Sequence, residues 1–167
     1  MEHKLSSNAD LAHEGAAKNI IIIALIAGTL DAIGAIVVYR ADPVKLFQFI
    51  ASGAFGVEAF SGGTVMAFWG LLFHYIIASA WTVIFFFMYP AIRILRKNRY
   101  VTGLLYGIFV WIIMNQIIIP LSKIPQAPFN LKSALTGASI LVVMIGLPIS
   151  LLTYRYYNKR NSRETTV

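Results

Sequence analysis

Few residues in this sequence can do chemistry in an apolar setting. They are Asp31, His74, Asn115, Gln116 and Glu58. Asp31 interrupts the run Ile20 to Tyr39, which is otherwise uncharged. A carboxylate at mid-depth in lipid costs at least ~2.5 kcal/mol on insertion scales, so it needs a partner, water or a proton. Its neighbours at four-residue spacing are Ala27 and Ala35, with Gly28 and Gly34 close by. Faces of such small residues pack against other helices, which predicts that Asp31 points into a bundle. His74 lies between Gly70 and Ala78 on the same terms. At ~1.5 Å per residue, His74 falls roughly 15 Å and Asp31 roughly 12 Å from the same end of their spans, so the two can meet. Asn115 follows Gly103, Gly107 and Trp111 at four-residue spacing, which puts an amide on a close-packing face. Gln116 and Glu58 fall toward the same end. Two chemistries fit this set. One is hydrogen-bond glue between helices. The other is a proton-responsive polar site, since histidine ordinarily changes charge near neutral pH.

Other chemistries are excluded by composition. The absence of cysteine removes disulfides, Cys-ligated zinc, iron–sulfur clusters and thiol redox chemistry. One intramembrane histidine and one acid are too few for a closed metal site, because His3 and His13 fall in the polar N-terminal stretch. A haem with two histidine ligands would need a second histidine in the spans. No nucleophile elbow, P-loop, HExxH motif or carboxylate pair is present. No enzyme, metal or cofactor is therefore expected.

The elements that position these residues are apolar runs. Hydrophobic residues make up 58% of the 167 and charged residues 13%, where an ordinary soluble domain carries roughly 25% charged. That excludes a soluble globular protein. Four runs are each long enough for one crossing of a ~30 Å hydrocarbon core: about 20–39, 64–89, 100–120 and 133–154. With no water to satisfy their backbone groups, all four should be helical despite their many Ile and Val residues. The first run is longer than a signal-peptide core and no small-x-small cleavage site follows it, so it reads as a retained anchor. A membrane domain over 20–154 then stands between a polar tail, 1–19, and a basic tail, 155–167.

The net charge of +7 flanks these runs. With both termini inside, the inner side holds Lys4, Lys18, Arg93, Arg96, Lys97, Arg99, Arg155, Lys159, Arg160 and Arg163. The outer side holds Arg40, Lys45, Lys123 and Lys132. Ten against four favours both termini in the cytoplasm, and the basic clusters read as topology signals, not as a nucleic-acid surface. Between the first two runs, residues 41–63 are too apolar for a solvated loop. Asp42-Pro43 is an N-cap followed by proline at the first helical position, which predicts a short interfacial helix; a re-entrant segment is the alternative. Gly53, Gly56, Gly62 and Gly63 then mark a flexible passage into the second run. Gly103 and Gly107 form a GxxxG contact face, and Pro148 should kink the fourth run.

From His74 onward the chain resembles the YagU-type family of bacterial inner-membrane proteins. The resemblance rests on GLLYGIFVWIIMNQIIIPLSKIPQAPF, Gly103 to Phe129, and on GLLFHYIIAS, Gly70 to Ser79. Where the family pattern carries histidines in spans three and four, this chain has Asn115 and Gly137-Ala138, so only His74 of that set remains. The resemblance implies a small bacterial inner-membrane protein without an assigned activity. The expectation is an all-α integral membrane protein: a four-transmembrane-helix bundle with a short interfacial helix after the first span. Its expected role is a non-enzymatic accessory, sensing or assembly one, in contact with the lipid bilayer and with a second copy or another membrane protein. The alternative is a proton-coupled small transporter or channel using Asp31 and His74.

Overall fold

The computed structural model describes residues 2–126 and 128–164, with side chains over 15–126 and 128–159. The side chains of His3, Lys4, His13, Arg160 and Arg163 lie outside the described residues. Helix α1 (Glu2–Tyr39) is followed by α2 (Pro43–Phe55), a 3-10 turn (Gly56–Phe60) and α3 (Gly63–Ala91). Helix α4 (Arg99–Ile113) passes through a π-helical turn, Met114–Ile118, into the short α5 (Ile119–Leu121). Helix α6 (Leu131–Leu141) passes through a second π turn, Val142–Gly146, into α7 (Leu147–Glu164). Four stretches are long and apolar enough to cross a membrane: Gly15–Tyr39, Gly63–Ala91, Arg99–Leu121 and Leu131–Lys159. They form an all-α bundle. Leu, Ile, Val and Phe side chains cover its outside, as lipid requires.

The boundaries follow local chemistry. Asp42 caps α2, its Oδ1 accepting from the Lys45 N–H at 3.0 Å, with Pro43 at the first helical position. Asn98 caps α4 by accepting from the Tyr100 and Val101 N–H groups, and Asn130 caps α6 by accepting from Ser133. Arg40 makes the turn between α1 and α2 at φ 50°, and Gly56 closes α2 at φ 70°. Both π turns lie just before a proline. Pro120 and Pro148 lack an N–H, and the carbonyls they leave one turn earlier belong to Gln116 and Met144, each inside a π turn.

The polar stretch 1–19 belongs to α1, which is helical from Glu2, where Ala, Glu, Leu and Lys favour helix and no proline intervenes. Residues after Tyr154 likewise continue α7 to Glu164. Gly53 does not belong to a flexible passage: it lies within α2, and its carbonyl accepts the Lys123 N–H at 3.0 Å, tying α2 to the turn after α5.

Helix α2 and the 122–130 connection occupy one end of the bundle, the capped end. Lys18, Arg93, Arg96, Lys97, Arg99, Arg155 and Lys159 mark the other, the basic end. Helix packing is set by glycine. A Cβ on Gly103 would come within 3.0 Å of the Gly146 carbonyl and the Leu147 Cα, and Gly107 and Gly146 meet backbone of the opposing span more closely still. Gly146 thus fits between Gly103 and Gly107. Gly28 of α1 lies against Tyr75 and Ala78 of α3, and Gly34 against Met144. Toward the basic end the spans close on Phe85, Phe86, Tyr89, Tyr106 and Ile149, all buried.

Candidate functional site

Asp31, His74 and Asn115 line one cavity. Gly70, His74 and Ala78 form a buried stripe of α3. Gly70 receives the backbone of α2 at Phe47, in a contact that leaves no room for a Cβ. One turn further, His74 Nε2 lies 2.8 Å from the Gly28 carbonyl of α1. A carbonyl can only accept, so Nε2 carries the proton in this bond. The imidazole is held edge-on by Phe47 and Tyr75, with ring centroids at 6.1 and 5.5 Å. Beside it, the Thr29 and Tyr75 hydroxyls lie 2.8 Å apart, a second link between α1 and α3.

Asp31 follows Gly28 by three residues on α1, so it lies near His74, within electrostatic reach. Its carboxylate makes no hydrogen bond to another described residue and borders a cavity of about 450 Å³. His74 and Asn115 line the same space. The remaining wall is almost wholly apolar. Phe49, Ile50, Gly53 and Ala54 of α2 roof it, and Trp81, Val110 and Ile145 form its floor. The floor is fixed by Tyr106, whose hydroxyl donates to the Trp81 carbonyl at 2.6 Å.

The five candidates separate. Asp31, His74 and Asn115 share the cavity. Gln116 and Glu58 do not: both are exposed outside it. Gln116 is rotated about 100° from Asn115 around the helix, and Glu58 lies on the 3-10 turn beyond α2. The amide of Asn115 serves its own helix, Nδ2 donating to the Trp111 carbonyl at 2.9 Å within the π turn. Of the three, only His74 makes a hydrogen bond between helices. Two features escaped sequence reasoning. Ser122 adds a fourth polar group to the wall, bonded to Ile119 and Ile124, and Gly146 completes the glycine contact between spans three and four. The signal for Gly146 was its place two residues before Pro148.

Comparisons with family models, curated proteins and solved structures find no match for this chain. Function therefore rests on the site. Among the described residues no three histidine, aspartate or glutamate side chains gather within reach of one ion. The arrangement is a largely apolar pocket with a few convergent polar groups, the usual form of a small-molecule site.

Proposed function

We propose that this chain is a non-enzymatic sensing or accessory protein of the bacterial inner membrane, with both termini cytoplasmic. Its cavity takes up a small, mainly apolar molecule that carries a cationic or hydrogen-bond-donating group. The observation that carries this reading is the Asp31 carboxylate, which accepts no hydrogen bond from a described residue and faces a largely apolar cavity of about 450 Å³. In lipid such a group is stabilised by a cation or a donor, and a ligand ammonium supplies both. The His74 and Asn115 side chains set the orientation of the bound group. The orientation of the chain is supported by the clustering of basic residues at one end. The location is supported by the resemblance of Gly103 to Phe129 to the YagU-type family.

Binding of decylamine, with decanol as its uncharged counterpart, tests this reading in detergent. Trp81 lines the cavity, so its fluorescence reports occupancy once Trp69 and Trp111 are replaced by phenylalanine. Both should shift the Trp81 emission, decylamine at a lower concentration than decanol, whose hydroxyl donates a hydrogen bond but carries no charge. Asp31→Asn should weaken decylamine binding about tenfold, the worth of one charge-assisted pair. Equal decylamine affinity in wild type and Asp31→Asn sinks the proposal.

A second reading, proton-coupled transport, draws support from Asp31 and His74 sharing one cavity. Opposing it, the spans toward the basic end close on Phe85, Tyr89 and Tyr106, which are at most 6% exposed. Proton flux into proteoliposomes, abolished by Asp31→Asn and by His74→Gln, would favour transport over uptake of a ligand alone.

A further inference from the structure

A second cavity, of about 530 Å³, opens at the basic end and does not include Asp31. Its floor is a stripe of the fourth span at four-residue spacing: Val143, Leu147, Leu151 and Arg155. Ile26 of α1 forms one wall, and Arg99 of α4 the other. From Val143 to Arg155 the stripe runs roughly 18 Å along the helix axis. The groove is therefore apolar over its length and cationic only where it reaches the basic end.

The two guanidinium groups differ in their surroundings. The Arg99 guanidinium stacks on the Tyr100 and Tyr154 rings at 5.1 and 4.8 Å, which fixes a side chain that would otherwise be mobile. Arg155 is exposed. Neither meets a carboxylate among the residues whose side chains are described, where the acids are Asp31, Asp42 and Glu58. A ring-stacked guanidinium and an exposed one at the mouth of an apolar trough that runs roughly 12 Å from Leu151 to Val143 match one class of molecule. We propose that this groove seats a single anionic phospholipid, its phosphate between Arg99 and Arg155 and one acyl chain along Leu151, Leu147 and Val143. Arginine suits this role because its planar fork binds phosphate oxygens in pairs. Basic pockets between spans are the general form of such headgroup sites.

The test is retention of phosphatidylglycerol against phosphatidylcholine, measured by native mass spectrometry on the full chain extracted from vesicles of both lipids. Phosphatidylglycerol should be retained about tenfold over phosphatidylcholine, and Arg155→Gln should remove most of that preference. Val143→Trp blocks the trough without altering charge and should displace the lipid as well. Val143 is 49% exposed, so the larger side chain can extend over the trough without entering the packed core. Arg99→Lys keeps the charge but loses the flat stacking surface, and should give an intermediate result. Arg93→Gln and Lys97→Gln alter the same end of the bundle outside the groove and should retain lipid as the wild type does. A loss in Arg93→Gln equal to that in Arg155→Gln would show only diffuse surface charge and overturn the proposal. So would undiminished retention in Val143→Trp, or displacement of the lipid by millimolar inorganic phosphate, which would mark a soluble-anion site.

Discussion

Toward the basic end, Phe85, Phe86, Tyr89 and Ile149 are at most 2% exposed, whereas under α2 the same spans stand around a cavity of about 450 Å³. The two halves use similar side chains, so composition does not account for the difference. Backbone geometry does. Near the basic end Gly103, Gly107 and Gly146 let spans three and four touch main chain to main chain, and large aromatic rings fill what remains. Near the capped end span three contains the Met114–Ile118 π turn, and α2 wedges against Gly70 of α3. The helices are held apart there, and the space between them carries the polar groups. One half stabilises the molecule by packing. The other is free to bind.

Substitutions can break this contrast. The largest effect is expected for Phe85→Ala, at about 3 kcal/mol, because a fully enclosed ring leaves a cavity the neighbours cannot fill. Phe73→Ala, on the wall of the existing cavity, should cost less than half as much; thermal unfolding of both variants in the same detergent compares them directly, and equal losses would mean the capped half is packed as tightly as the other. His74→Leu should cost about 1 kcal/mol by removing the bond to the Gly28 carbonyl, while His74→Gln should recover most of it. Thr153 offers a test of the packed half in the opposite direction. Its hydroxyl is buried without a hydrogen-bond partner, so Thr153→Val should raise stability by up to about 1 kcal/mol, seen as a higher Tm. Smallest of all, Ala54→Leu should leave stability within about 0.5 kcal/mol of wild type, since the added atoms enter empty space. The same variant should exclude decylamine, which an equilibrium titration would show.

The spans and caps were legible because each depends on a local rule. Apolar length set the four crossings to within five residues at either end, and Asp42-Pro43 announced α2 by its capping chemistry. The inward faces of Asp31, His74 and Asn115 followed from small residues at helical spacing. The cavity did not follow, because a void is a property of four helices and a roof together and has no signature in any one of them. Gln116 and Glu58 were grouped with the others by depth alone, and depth says nothing of direction around an axis. The π turns were hidden as well: proline marks where a backbone bond is missing but not how the helix adjusts to it.

Those π turns have a consequence for register. A π turn inserts one residue into an α-helix, so the faces before and after it are out of phase by about 100°. In span three the stripe of Gly103 and Gly107, which meets the fourth span, is therefore out of phase with the helix beyond the turn, and the cavity draws on both segments, Val110 before the shift and Ile119 after it. Deleting a single residue within Met114–Ile118 would bring the two segments back into phase and carry the polar amide away from Asp31 and His74. In span three the position of the site is thus set by a count of residues as much as by their identity.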